Sequence, residues 1–100
     1  WVMRSDGSIL KYVRGVREDF GMIDLDKPVG SGARLYTDDE LEKLYILDGE
    51  KGRVVVVKKT GEYERQYVTE EAKTAADIVV DEKEGVMYLL AESKIWRIRL

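Results

Sequence analysis

The sequence predicts an all-β chain that is built from a repeated unit of short strands. The segment starting at Ala33 recurs without a gap at Ala76, and Tyr45 aligns with Tyr88, so the two copies are offset by 43 residues. Apolar and polar residues alternate in both copies, which is typical of half-buried strands. Glycines and acidic residues stand between the alternating segments, where tight turns favour them. We therefore predict short strands that are joined by hairpins.

The first copy contains four predicted strands. They span residues 33–38, 43–48, 53–59 and 63–68. The β-branched run Val54–Val57 is too short for a buried helix and suits a strand that is covered on both faces. A period of about 40–45 residues made of short strands is the signature of one propeller blade. Residues 33–68 are therefore predicted to form a full blade.

The remaining residues are predicted to supply parts of two further blades. In the second copy, residues 76–100 supply three strands, at 76–81, 86–91 and 94–100. The pattern of residues 1–13 predicts a hairpin that is equivalent to the third and fourth strands of a blade. Residues 14–32 are predicted to be an irregular linker, with a short extended segment at Phe20–Leu25.

The first copy resembles a known repeat along Leu44–Val56 and Lys59–Tyr63. These residues combine a strand that ends in aspartate, a polar turn, an arginine followed by valines, and a lysine-threonine-glycine hairpin. The pattern is similar to the NHL-type β-propeller repeat, although the asparagine that commonly precedes the arginine is absent. The resemblance covers residues 33–100 and, less closely, 1–13, and suggests the C-terminal part of a larger propeller, as in uncharacterised bacterial proteins. It implies blades arranged radially around a channel and binding of proteins or other ligands on the flat faces.

Composition excludes several kinds of site. The chain contains no Cys and no His, so thiolate or imidazole metal sites, cysteine nucleophiles and Ser-His-Asp triads cannot be built from it. Its 17 basic and 20 acidic residues are spread along the chain and give a net charge of −3, without the basic patch that binds nucleic acid. No apolar run approaches the roughly 20 residues of a membrane span, and the N-terminal residues do not resemble a signal peptide. We therefore expect no cofactor, no nucleic-acid partner and no membrane insertion, and the compartment is left open.

Three acidic turns carry carboxylates at the short spacing that suits a calcium ion. They are Asp38–Glu40, Asp48–Glu50 and Asp81–Glu84. Carboxylates that solvate hairpin tips explain these turns equally well, and the lysines among them would oppose a bound cation. We therefore predict no metal site. Nor does any spacing select a pair of carboxylates for glycoside hydrolysis.

Two residues are candidates for ligand binding. Arg53 follows Gly52 and is expected either to donate to turn carbonyls of its own blade, the favoured alternative, or to contact a ligand in the channel. Trp96 is able to stack on a sugar or a peptide, but its place in an inner strand favours packing between blades. The strand register likewise predicts that Tyr45 and Tyr88 are buried between neighbouring blades.

The predicted function is binding or scaffolding by a non-enzymatic propeller module. About two blades and a hairpin leave apolar faces uncovered, whereas known propellers need about four to eight blades to close a ring. We expect a head-to-tail ring of copies, preferably a trimer with about six blades, in which strand 9–13 of one copy lies beside strand 94–100 of the next. The residues expected at this joint are Trp1, Ile9, Tyr12, Ile95, Trp96 and Ile98.

The first residue is Trp instead of Met, which favours a fragment of a longer protein.

Two other function classes remain open. A carbohydrate-binding propeller would have a repeated aromatic and polar pocket between blades, and among the aromatic residues Tyr45 and Tyr88 recur at equivalent positions. A propeller enzyme of the lactonase or lyase kind is disfavoured, because it would need His or Asn metal ligands that the chain lacks. The predicted partner is thus a second copy of the chain, with a protein or a glycan as a further class of ligand.

Overall fold

The predicted all-β class is confirmed. The computed structural model describes residues 1–23 and 25–100, so Asp24, one position of the extended segment predicted at 20–25, lies outside the described residues. Within the two described ranges the chain forms ten β-strands and one four-residue helix, and the strands are arranged in three small antiparallel sheets.

In each sheet the strands lie side by side in chain order. The N-terminal sheet contains β1 (Val2–Met3), β2 (Ile9–Val13) and β3 (Val16–Glu18). The middle sheet contains β4 (Arg34–Tyr36), β5 (Lys43–Asp48), β6 (Arg53–Lys58) and β7 (Tyr63–Val68). The C-terminal sheet contains β8 (Asp77–Asp81), β9 (Val86–Leu90) and β10 (Ile95–Arg99), and helix α1 (Glu71–Thr74) lies in the connection that leads to it.

The middle sheet contains the four strands that were predicted for the first copy, with β4 shorter than expected. Successive side chains of a strand point to opposite faces of the sheet, so β5 directs Leu44 and Ile46 to one face and Tyr45 and Leu47 to the other. The run Val54–Val57 in β6 is buried throughout, which confirms the prediction of a strand covered on both faces. The two faces of the middle sheet therefore carry two separate hydrophobic cores.

One core, the C-side core, lies between the middle and C-terminal sheets, and the other, the N-side core, lies between the middle and N-terminal sheets. The buried residues of the C-side core are Tyr45, Leu47, Val54, Val56, Ala72, Ile78, Val80, Met87 and Leu89. Those of the N-side core are Ile9, Val29, Leu44, Ile46, Val55 and Val57. Full burial of a Val, Leu or Ile side chain stabilises the folded state by roughly 1.5–3 kcal/mol. These cores therefore hold the sheets together face to face.

The N-terminal region departs from the prediction. The hairpin of β1 and β2 is present, but β2 also pairs on its other edge with β3, which lies in the segment that was predicted to be linker. The turn between them is Arg14–Gly15, and both residues have positive φ, as a two-residue hairpin turn of this type requires. Strand 9–13 is thus the central strand of its sheet. Each of its edges is therefore partly occupied within the chain, which leaves less of the strand to pair with strand 94–100 of a second copy.

The linker from β3 to β4 is docked on the middle sheet. The backbone N–H of Ile23 donates to the carbonyl of Gly61 at 2.9 Å, and the N–H of Tyr63 donates to the carbonyl of Ile23 at 3.0 Å. A Cβ atom at Gly61 would lie 2.1 Å from the carbonyl oxygen of Gly21, so this close approach requires glycine. Near the start of the linker, the Phe20 ring meets the edge of the Trp1 ring with 4.9 Å between centroids.

Tyr45 and Tyr88 occupy equivalent positions in β5 and β9 but differ in burial. Tyr45 is 3% exposed in the C-side core, as predicted. Tyr88 is half-buried, because it lies on the face of the C-terminal sheet that points away from the middle sheet, where no further sheet of the described chain covers it. The predicted burial of Tyr88 is therefore wrong for the single chain.

We expect Tyr45→Ala to lower the free energy of unfolding by about 3–5 kcal/mol, as deletion of a large buried side chain does. Tyr88→Ala, the matched variant, should lower it by about 1 kcal/mol, since less of this side chain is removed from water. Urea titrations at low protein concentration, followed by tryptophan fluorescence, measure both values. Equal losses at the two positions would contradict the assignment of Tyr88 to an uncovered face.

Candidate functional site

Arg53 is the centre of the most extensive polar network. It begins β6 opposite Asp48, the last residue of β5, and its Nε donates to Asp48 Oδ2 at 3.1 Å. Its Nη1 donates to Asp26 Oδ1 at 2.9 Å and to Gln66 Oε1 at 3.0 Å. Its Nη2 donates to the carbonyls of Lys27 and Pro28, at 2.8 and 3.2 Å.

These contacts leave no donor of Arg53 for a ligand. A guanidinium has five N–H donors, and all five are used by acceptors of the same chain. The side chain is 3% exposed. Arg53 therefore donates to carbonyls of the linker, and not to turn carbonyls of its own sheet as the favoured alternative predicted. Its role in the described structure is to hold the linker against β5, β6 and β7.

Asp48 and Asp26 contribute to this network in different ways. The Asp48 side chain is fully buried, and its Oδ1 has no hydrogen-bond partner among the described residues. A Cβ atom at position 30 would lie 2.9 Å from this oxygen, so Gly30 closes the site from the linker side. Asp48 thus depends on Arg53 for compensation of its charge, because an unpaired buried carboxylate is strongly destabilising.

The pKa of Asp26 is lowered from its ordinary value. Burial raises this pKa, but hydrogen bonds from the Lys27 backbone N–H and from the Arg53 guanidinium outweigh that effect. A carboxyl group whose pKa is lower in the folded state stabilises the fold above its ordinary pKa. That contribution is lost as the pH falls through the lowered value.

A cleft of about 510 Å³ opens where the middle and C-terminal sheets meet. Glu82, in the turn after β8, accepts hydrogen bonds from the Tyr45 hydroxyl at 2.7 Å and from the Glu42 backbone N–H at 2.9 Å. Burial raises the pKa of the Tyr45 hydroxyl, and the Glu82 carboxylate raises it further, so this group remains a donor. Lys43 pairs with Glu64 beside them. The cleft is therefore crossed by contacts that fasten one sheet to the other.

Several carboxylates of the acidic turns also accept hydrogen bonds within the chain. Asp38 Oδ1 accepts from the backbone N–H groups of Glu40 and Leu41, and Asp81 Oδ1 accepts from that of Glu84. Throughout residues 1–23 and 25–100, no three His, Cys, Asp or Glu side chains are grouped so as to hold a metal ion. The same ranges contain no helix of the length and apolarity that crossing a membrane requires.

The six residues expected at the joint between copies are divided between the cores and the outer surfaces. Trp1 and Ile9 face the N-side core, and Trp96 and Ile98 face the C-side core, so these four side chains pack within the chain. Trp96 therefore packs between sheets, as its strand position suggested. Tyr12 is 43% exposed and Ile95 is 70% exposed on the outer surfaces of the two end sheets.

Two outer faces that carry exposed apolar side chains flank the stack of sheets. On the N-terminal sheet, the face directed away from the N-side core carries Val2, Leu10 and Tyr12 together with Arg17, and we call it the N-outer face. On the C-terminal sheet, the face directed away from the C-side core is called the C-outer face. It carries the apolar side chains of Val79, Tyr88, Leu90 and Ile95 together with the charged side chains of Asp77, Asp81, Arg97 and Arg99. The alternation of side chains along β2 and β9 is the sequence signal that identifies them. These faces, rather than the polar network, are the candidate functional surfaces.

Comparisons with protein-family models, with curated proteins and with solved structures found no match to this chain. No relative therefore supplies a function or a set of site residues. The resemblance to the NHL-type repeat stays a prediction. The function is inferred below from the contacts and faces of the chain itself.

We expect Arg53→Met to lower the free energy of unfolding by about 3–5 kcal/mol, because it leaves Asp48 buried without a partner. Adding Asp48→Leu should restore part of this loss, since an apolar pair of similar volume carries no uncompensated charge. Urea titrations of the wild type, both single variants and the double variant measure the coupling between the two positions. The structural role fails if Arg53→Met costs under about 1 kcal/mol or if the two effects simply add.

Proposed function

We propose that this protein is a non-enzymatic β-propeller module that functions in binding or scaffolding and assembles with copies of itself into a complete ring. The observation that carries the proposal is that the face-to-face stack of sheets ends at two outer faces whose exposed apolar side chains no further sheet of the described chain covers. Val2 is 49% exposed on the N-outer face and Ile95 is 70% exposed on the C-outer face. Exposed apolar residues that are grouped on one face are typical of interaction surfaces.

The arrangement of strands supports a blade-like role for each sheet. The middle sheet is a four-stranded antiparallel sheet in chain order, which is the composition of a propeller blade. The chain passes from its last strand, β7, to β8, and β8 lies beside β4, the first strand of the middle sheet. On the other side, β1 also lies beside β4. First strands that lie next to one another are what blades around a common channel require.

The chemistry of the chain supports a binding role over catalysis. The sequence lacks His and Cys, the usual sources of a proton shuttle and a nucleophile near neutral pH. The donors of Arg53 are occupied within the chain, and Asp38 and Asp81 accept from backbone groups of their own turns. The aromatic pocket of a lectin-like propeller finds no support either, since Tyr45 is buried in the C-side core.

Self-assembly predicts a native mass that is a multiple of 11.5 kDa. Light scattering coupled to size-exclusion chromatography measures this mass over a range of micromolar concentrations. Tyr88→Asp should lower the mass, because it places a charge on the C-outer face. Val68→Asp is the matched control, since Val68 is 73% exposed but lies in β7, outside both outer faces. A mass of 11.5 kDa for the wild type at every concentration would contradict self-assembly.

The non-enzymatic part of the proposal predicts that the purified chain hydrolyses no lactone or phosphoester above background. Because no described cluster of acids is arranged to hold a metal, adding a divalent cation should not change this result. A panel of chromogenic lactones and phosphoesters, assayed with and without Mg²⁺, Ca²⁺ or Zn²⁺, provides the measurement. Metal-dependent turnover that survives repurification would overturn the assignment.

A further inference from the structure

We draw no further inference here: the strongest candidate, the cleft of about 510 Å³ between the middle and C-terminal sheets, belongs to the site already described, because its carboxylates Glu64 and Glu82 are bound by Lys43 and by the Tyr45 hydroxyl in contacts that fasten the sheets together, and nothing in residues 1–23 and 25–100 points to a ligand for it.

Discussion

The rest of the structure depends on the burial of the middle sheet on both faces. Val54–Val57 lie in β6, one of its two central strands, and they place apolar side chains alternately on the two sides. A sheet of this composition is unstable in water unless both faces are covered, and the N-terminal and C-terminal sheets supply the covers. Each cover is itself a sheet with a second face. The described stack therefore ends at two outer faces that still carry exposed apolar side chains.

The parts of the fold that depend on local pattern could be predicted from the sequence. The repeat and the period-2 alternation identified the strands of the middle and C-terminal sheets. β3 was missed, because it is three residues long and its turn is marked by Gly15 alone. The burial of Tyr88 could not be read from its own strand either, since an identical register buries Tyr45. Burial at such positions depends on a neighbouring sheet, which is not a local property.

The polar network around Arg53 could likewise be predicted from the sequence only in part. That this arginine is bound by acceptors of its own chain was expected from its position after Gly52 and from the five donors of its side chain. That the carbonyls belong to Lys27 and Pro28 did not follow, because contacts across 25 or 26 residues depend on where the linker docks. The outer faces could have been identified from the alternation of side chains along β2 and β9. Four of the six joint residues were nevertheless assigned to a surface when their side chains point into the cores.

The docking of the linker also restricts how copies of this chain can exchange parts. The segment between β3 and β4 is held at two separate points of the middle sheet, by Arg53 at one and by the hydrogen bonds between Ile23 and the β6–β7 turn at the other. A domain-swapped dimer, in which the N-terminal sheet moves onto a second copy, would have to extend this segment and break both attachments. Domain swapping needs a connection that opens at low cost. The docked linker thus opposes exchange of the N-terminal sheet between copies.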